Sequence, residues 1–264
     1  KKCCCTVICE HGSFYWIVSS WFGKNGFERK RNFMIQISNL SKKYGETVVF
    51  SDLNYTFENT CIYGFVGRNG AGKTTLLNIL SNYDKNYTGV ISIDRKKMNK
   101  VDYLDMPVAY AMDQPSFFNE LTIYENLLLI ASSRKIKKQE AFDKIERILD
   151  GLGLKKYENY SPLELSKGTM QRLNNACAMI QEEKITIFDE PFSGLDPVQM
   201  KLLENVIVEF HKKEKGIYII SSHDIECLQN VCDKCLLLHN GQIREINMEE
   251  VDREEIAKIL SEGE

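Results

Sequence analysis

The sequence has no long hydrophobic run and no strong excess of charge of either sign. Its longest apolar-rich stretches, residues 14–22 and 123–131, are well short of the ~20 residues that a helix needs to cross a bilayer. We therefore expect no membrane-spanning segment. The 264 residues carry 34 basic and 37 acidic side chains, a net charge of −3, which argues against nucleic-acid binding through bulk charge. Hydrophobic residues at 43% and charged residues at 27% exclude a fully disordered or fibrous chain.

The first 33 residues show no sustained periodicity. They contain clusters of cysteine and aromatic residues but no signal-peptide cleavage site, capping signal or motif. We expect this segment to be dispensable, and either disordered or not part of the native protein. One explanation is an upstream reading frame translated in error, and the other is a short membrane-surface anchor formed by residues 14–22. The regular pattern begins at Met34, where we expect the first strand.

Beyond this segment, apolar runs alternate with stretches of helical periodicity. Residues 61–66, 185–188 and 217–220 are short, continuously apolar runs, as in the buried strands of a parallel sheet. Asn240 and Gly241 separate two further apolar runs, which predicts a β-hairpin. This alternation is typical of an α/β domain with a mostly parallel sheet. An all-helical stretch over about residues 122–181 interrupts the alternation, and we expect it to form a separate lobe.

Helix positions follow from periodicity and capping residues. The pattern predicts helices over residues 75–80 and residues 121–131, and a third that Gly151 helps to close. Asp196, followed at once by Pro197, predicts a capped helix start with proline in the first helical position.

A glycine-rich motif of the form GxxxxGK[ST] is the strongest local signal, and it lies between a predicted strand and a predicted helix. Glycines let backbone N–H groups turn toward phosphates, and the helix N-terminus favours anions. We expect Lys73 to reach the β- and γ-phosphates of a nucleotide and the Thr74 hydroxyl to bind Mg²⁺; an incidental glycine-rich turn is the alternative. The predicted nucleotide-binding residues here are Gly67, Arg68, Asn69, Gly70, Ala71, Gly72, Lys73, Thr74 and Thr75.

Two adjacent acids, Asp189 and Glu190, follow the apolar run of residues 185–188. A strand that ends in two acids places them at the carboxyl edge of a parallel sheet, beside the phosphate-binding loop. We expect Asp189 to hold the Mg²⁺ shell and Glu190 to polarise the attacking water. Two solvated acids at a strand end are the alternative, which the presence of the glycine-rich motif disfavours.

Between these two motifs, residues 165–172 (LSKGTMQR) resemble the LSGGQ signature of ABC-type ATPases. Other motifs of that family precede and follow it in the expected order, and the resemblance covers roughly residues 34–241. Tyr44 resembles the aromatic residue that stacks on adenine, Gln114 the glutamine at the entrance to the helical lobe, residues 193–196 (SGLD) the loop that crosses the dimer interface, and His223 the switch histidine.

The resemblance implies that two ATPase domains pair head to tail, with each ATP between one phosphate-binding loop and the partner's signature. Ser166, which we expect to cap the helix that runs to Ile180, and the N–H of Gly168 would face the γ-phosphate across that interface. The sequence departs from LSGGQ at two positions, with Lys167 in place of glycine and Thr169 in place of glutamine. The replacement at Thr169 affects the residue type through which the signature helix would contact its partner. The resemblance implies catalytic roles for Glu190, His223 and Gln114, and metal binding by Thr74, Gln114 and Asp189.

The resemblance also implies a P-loop NTPase fold with a mostly parallel central sheet, an N-terminal antiparallel β subdomain and an inserted helical subdomain. We expect the ATP-binding domain over residues 34–247, its helical subdomain over about residues 115–181, and a C-terminal helix over residues 248–264.

An active ATPase that uses ATP and Mg²⁺ is the function this resemblance implies. We expect the ATP-hydrolysing subunit of an ABC transporter, paired with a second ATPase domain in a homodimer or heterodimer. A separate permease would hold it at the cytoplasmic face of the membrane, and similarity to bacterial drug, peptide or lantibiotic exporter subunits favours export. The alternatives are a soluble ABC ATPase acting on ribosomes or nucleic acid, and a clamp that binds ATP without hydrolysis. We expect no nucleic-acid partner.

The cysteines, nine in number, do not have the spacing of a metal site. Cys232 and Cys235 form a CxxC pair, but no second pair and no histidine pair at ligand spacing accompanies them. We interpret them as ordinary residues entering an apolar strand; a metal or redox role is the alternative. Since the other motifs belong to a cytosolic enzyme, in which thiols stay reduced, we expect no disulfide.

Overall fold

A computed structural model describes residues 33–58, 60–101, 105–223 and 225–246. The predicted N-terminal extension, apart from Phe33, and the predicted C-terminal helix lie outside these ranges.

The N-terminal sheet is antiparallel and has the strand order β2-β1-β4-β5. Leu53 and Phe57 on β2 are buried and Thr56 is exposed, because this sheet has one covered face. The N-terminal antiparallel β subdomain is thereby confirmed. Its strands are β1 (Met34–Tyr44), β2 (Thr47–Glu58), β4 (Thr88–Ile93) and β5 (Lys96–Lys97).

The central sheet has the order β10-β9-β3-β8-β7-β6, and all of its pairings are parallel except that of β9 with β10. This confirms the mostly parallel sheet. The β9–β10 hairpin turns at Asn240 and Gly241, which have φ angles of 48° and 71°, as a two-residue hairpin turn requires. The strands are β3 (Cys61–Val66), β6 (Val108–Ala111), β7 (Ile185–Asp189), β8 (Ile217–Ser221), β9 (Lys234–His239) and β10 (Gln242–Ile246).

Helices connect the parallel strands, and three of them lie between β6 and β7 in the stretch predicted to be helical. The second helix begins at Ile123 rather than at residue 121, because Thr122 forms a capping box with Glu125. Within the described ranges, none has the length and apolar character needed to cross a bilayer. The helices are α1 (Lys73–Leu80), α2 (Ile123–Ser133), α3 (Lys138–Gly151), α4 (Lys167–Met179), α5 (Pro197–Glu214) and α6 (Ile225–Gln229).

Both faces of the central sheet are covered. On β3, Ile62 and Val66 belong to the core formed with the helical lobe, whereas Tyr63 and Phe65 belong to the core shared with α1 and the antiparallel sheet. Successive strand side chains point to opposite faces, so a strand covered on both sides is apolar throughout. All six residues of β3 are buried. Packing on both faces therefore holds the strand in place, and with it the start of the loop that follows.

The CxxC cysteines are part of the packing around β3 and β9. A Cβ added to Gly64 would lie 2.9 Å from Cys232 Sγ, so this glycine makes room for the thiol. Burial raises the pKa of the Cys235 thiol to about 11, which disfavours a reactive thiolate. Both cysteines are free thiols.

Candidate active site

The predicted phosphate-binding loop joins the buried strand β3 to α1. Gly70 and Gly72 have φ angles of 82° and 98°, in the left-handed region that glycine adopts without strain. A Cβ on Gly72 would also lie 2.7 Å from Val49 Cγ1. Gly72 precedes α1 and makes no side-chain cap, so the N–H groups of the first turn remain available to an anion.

Lys73 turns back into this loop. Its Nζ donates to the carbonyl oxygen of Gly67 at 2.6 Å and lies 3.3 Å from that of Arg68. Burial lowers the pKa of Lys73, and the carboxylates of Glu190 and Asp189 act in the opposite direction. The Lys73 ammonium and the two carboxylates at the end of β7 therefore attract one another electrostatically, as is expected of groups that share a site.

Asp189 and Glu190 stand at the carboxyl end of β7, and a serine on the neighbouring strand contacts both. Ser221 is paired with Asp189 in register; its Oγ donates to Asp189 Oδ1 at 2.5 Å and accepts from Glu190 N at 2.9 Å. Asp189 is 1% exposed, and Glu190 has a φ of 48°. The strand therefore ends in a sharp turn that directs the two carboxylates differently. Ser221 was not among the residues predicted from the sequence, although it directly follows the apolar run of residues 217–220.

Tyr110 on β6 also reaches this site. Its hydroxyl lies 3.0 Å from Asn78 Oδ1 and 3.4 Å from Asp189 Oδ2. Burial, and then the charge of Asp189, raises the pKa of Tyr110, so the hydroxyl keeps its proton. Tyr110 was not predicted from the sequence, since a tyrosine in an apolar strand gives no specific signal.

The structure brings His223 to the predicted base. Its Nδ1 lies 2.9 Å from Glu190 Oε2, and about two-thirds of the His223 side chain is exposed against 19% for Glu190. Gln114 is exposed in the loop after β6, which Asn174 anchors by donating from Nδ2 to the Met112 carbonyl at 2.7 Å. No hydrogen bond within the described ranges joins Gln114 to either acid.

Tyr44, the predicted adenine-stacking residue, is the last residue of β1. It is 52% exposed, and its hydroxyl donates to Asp84 Oδ2 at 3.1 Å. An aromatic ring on the surface with a fixed hydroxyl is a suitable stacking platform for a base.

The predicted signature forms the start of α4. Ser166 caps this helix by accepting from Thr169 N at 3.2 Å, which confirms the predicted cap. The Thr169 hydroxyl lies 2.9 Å from Ser166 Oγ and accepts from Arg172 Nη2 at 3.2 Å. Threonine in place of glutamine therefore takes part in holding the helix start.

Gly168 places the signature against the SGLD loop. A Cβ at Gly168 would lie 2.9 Å from the Gly194 carbonyl and 3.2 Å from Gln199 Oε1. At the other end of the loop, Asp196 caps α5 by accepting from Gln199 N at 2.9 Å, as predicted. The two segments that the resemblance assigns to a dimer interface are therefore neighbours.

Comparison with known proteins agrees with this arrangement. A family model described as ABC transporter matches residues 50–193. The tungstate uptake system ATP-binding protein TupC of Peptoclostridium acidaminophilum is 30% identical, over 80% of this chain and 97% of its own. The bacitracin transport ATP-binding protein BcrA of Enterococcus faecalis is 30% identical, over 84% of this chain and 71% of its own. A solved ATP-binding subunit of an ABC transporter is 26% identical, with a TM-score of 0.78 over 86% of this chain and 99% of that chain.

Proposed function

This chain belongs to the ABC transporter family, and we propose that it works as one of two paired ATPase subunits attached to a separate membrane-spanning permease. It is an ABC transporter ATP-binding subunit, and its activity is ATP hydrolysis. Two observations support the proposal. The carboxylate of Asp189 is buried, as expected of a hydrolytic centre, and Ser166 of the predicted signature is exposed and already fixed as a helix cap.

In this proposal the chain binds ATP along the phosphate-binding loop. The N–H groups of the loop and of the first turn of α1 receive the phosphates, Lys73 neutralises their charge, and Tyr44 stacks on adenine. The oxygen-bearing side chains predicted for this site, among them the buried carboxylate of Asp189, suit Mg²⁺, which prefers oxygen ligands. Thr74, Gln114 and Asp189 would hold the ion, which when bound neutralises charge on the phosphate oxygens.

Hydrolysis then depends on Glu190. Its carboxylate accepts a proton from the attacking water, and its backbone is held by the Ser221 hydroxyl. His223 contacts the same carboxylate through Nδ1, and in this proposal it keeps the base oriented. Gln114, at the entrance to the helical lobe, would respond to the presence of the γ-phosphate.

The signature acts on a second copy or on a related subunit. Ser166 is exposed, and its hydroxyl and the N–H of Gly168 lie at the positive end of α4, where they favour an anion. Each ATP would therefore be enclosed by the phosphate-binding loop of one subunit and the signature of the other.

For the direction of transport we propose export, supported by the likeness to the bacitracin transport protein and by the SKG form of the signature. Import is the second candidate, because the tungstate uptake protein is equally similar and is matched over nearly its full length. The permease would hold the chain at the cytoplasmic face of the membrane.

Co-purification and vesicle transport test this function. The tagged chain should be recovered from detergent-solubilised membranes of its native host together with a membrane-spanning protein, and not with ribosomes on sedimentation. In inside-out vesicles containing both proteins, external ATP should drive accumulation of cargo if the system exports. Accumulation only in right-side-out vesicles loaded with ATP would establish import. Recovery with ribosomes alone would contradict the transporter proposal.

A further inference from the structure

Lys42 is a buried lysine on β1, close to Tyr44 in the sequence. Its side chain is 2% exposed, and its Nζ contacts Asp84 Oδ2 at 2.7 Å and donates to the Asn86 carbonyl at 2.6 Å. A buried ammonium is costly unless it is paired and hydrogen-bonded, so these partners hold it in place.

The same ammonium lies behind the Tyr44 ring. Lys42 Nζ is 4.5 Å from the ring centroid, within the range of a cation–π interaction. Asp84 Oδ2 accepts from the Tyr44 hydroxyl at 3.1 Å and also binds Lys42. One face and the hydroxyl of the ring thus contact the chain, whereas Tyr44 as a whole is 52% exposed and so has surface available to a base.

Asp84 connects this cluster to the helix that starts at the phosphate-binding loop. It follows the C-terminus of α1, and its N–H donates to the Asn78 carbonyl of that helix at 3.0 Å. Burial raises the pKa of Asp84, but hydrogen bonds from Lys42, the Asn86 N–H and Tyr44 outweigh it, and the pKa is lowered. The carboxylate therefore remains charged at neutral pH and keeps both partners.

We infer that Lys42 and Asp84 are positioning residues that fix the Tyr44 ring relative to α1, and so set the base platform at the right separation from the phosphate site. The inference rests on the proposed role of Tyr44 in ATP binding. Base and triphosphate belong to one ligand, so their two binding surfaces must be correctly spaced before binding. A platform held in advance loses less conformational freedom when the ligand arrives.

The test compares a ligand that has a base with one that lacks it. Dissociation constants for ATP and for inorganic tripolyphosphate are measured by calorimetry on the full chain. Lys42→Met should weaken ATP binding about fivefold to tenfold, because a displaced ring loses part of its stacking on the base. Its dissociation constant for tripolyphosphate should stay within about twofold of that of the unmodified chain. Lys43→Met, which changes an exposed lysine of the same strand, is the matched control and should alter neither constant.

Tyr44→Ala separates this inference from the proposed function. It should weaken ATP binding about 5- to 150-fold and leave tripolyphosphate binding unchanged; no effect on ATP binding would refute the base platform itself. If Tyr44→Ala has this effect but Lys42→Met does not, or if Lys42→Met weakens both ligands equally, the positioning role is wrong. Because Lys42 acts through Tyr44, Lys42→Met added to Tyr44→Ala should cost no further affinity.

Tyr44→Phe decides the matter if Lys42→Met does not fold. It keeps the ring, leaves Lys42 paired and removes only the hydroxyl bond to Asp84, so the melting temperature should change little. ATP binding should fall about two- to fivefold, because the ring is less firmly positioned before the ligand arrives, with tripolyphosphate binding unchanged. Equal affinities of Tyr44→Phe and the unmodified chain for ATP would overturn the inference.

Discussion

The end of β7 and the start of α4 both present residues that the proposed mechanism uses, but the chain holds them by different means. At β7, Asp189 is almost fully buried, and Ser221 of the adjacent strand contacts both acids. At α4, Ser166 is exposed and is fixed by Thr169, three residues further along the chain. One region is held by long-range contacts and the other by a helix cap.

This difference predicts two kinds of variant. Changes at the end of β7 should lower the rate of ATP hydrolysis. Where they leave buried polar groups without partners, they should also lower the free energy of unfolding. Changes at the start of α4 should leave one subunit able to fold and to bind ATP, and should impair the step that needs a second subunit.

Glu190→Gln should have the largest effect. The amide keeps the shape of the side chain but cannot accept a proton, so ATP turnover should fall by about 10²- to 10⁴-fold, the typical contribution of a general base. ATP binding should persist, and the trapped nucleotide should hold two subunits together on gel filtration with Mg²⁺. Glu209→Gln, on an exposed position of α5, is the control. Monomers alone for Glu190→Gln would contradict the shared site.

Ser166→Ala should lower turnover about 10²-fold, because a donor to the partner's γ-phosphate is lost. The helix cap is lost too, which costs about 1 kcal/mol of stability. Ser161→Ala removes a similar cap from the short helical turn at Pro162–Glu164, so it should lower the melting temperature comparably and leave turnover unchanged. Equal turnover for the two variants would show that the serine at α4 is only structural.

Ser221→Ala should act on both properties at once. It leaves the Glu190 N–H without its partner and removes the donor to Asp189, so the free energy of unfolding should fall by about 1–3 kcal/mol. Turnover should fall about tenfold, because less precise positioning of the two acids should raise the activation free energy by ~1.4 kcal/mol. Thermal unfolding and steady-state ATPase assays measure the two effects. Unchanged turnover would mean that the backbone turn alone orients Glu190.

Phe118→Ser should have the smallest effect on the isolated chain and extends the comparison to the helical lobe. Phe118 is 59% exposed, whereas Phe117 is packed against the core of that lobe. An exposed aromatic side chain is typical of a protein interface, and we expect the surface around Phe118 to dock the permease. Phe118→Ser should then reduce co-purification with the permease and leave the melting temperature and the basal ATPase activity unchanged. Phe117→Ser should instead lower stability by about 1–3 kcal/mol. Full co-purification of Phe118→Ser would place the permease elsewhere.

Much of the architecture could be predicted from the sequence because its determinants are local. Short apolar runs predicted β3, β7 and β8, since strands covered on both faces exclude polar side chains. Ser166 and Asp196 predicted two helix starts, because a cap acts on N–H groups two or three residues away. The helix after the glycine-rich motif begins at Lys73 rather than at residue 75, because Gly72 turns the chain in the left-handed region directly before it.

What the sequence by itself determined was the set of residues predicted to act in ATP hydrolysis and the order of the elements that carry them. Tertiary structure alone decided which side chains support them. Ser221 lies 32 residues from Asp189, Tyr110 lies 79 from it, and Lys42 lies 44 from Asn86. Such contacts depend on strand order and register, and a serine, tyrosine or lysine in isolation has no pattern that specifies a distant partner. Sheet pairing sets these distances, and so the support of the site emerges only with the fold.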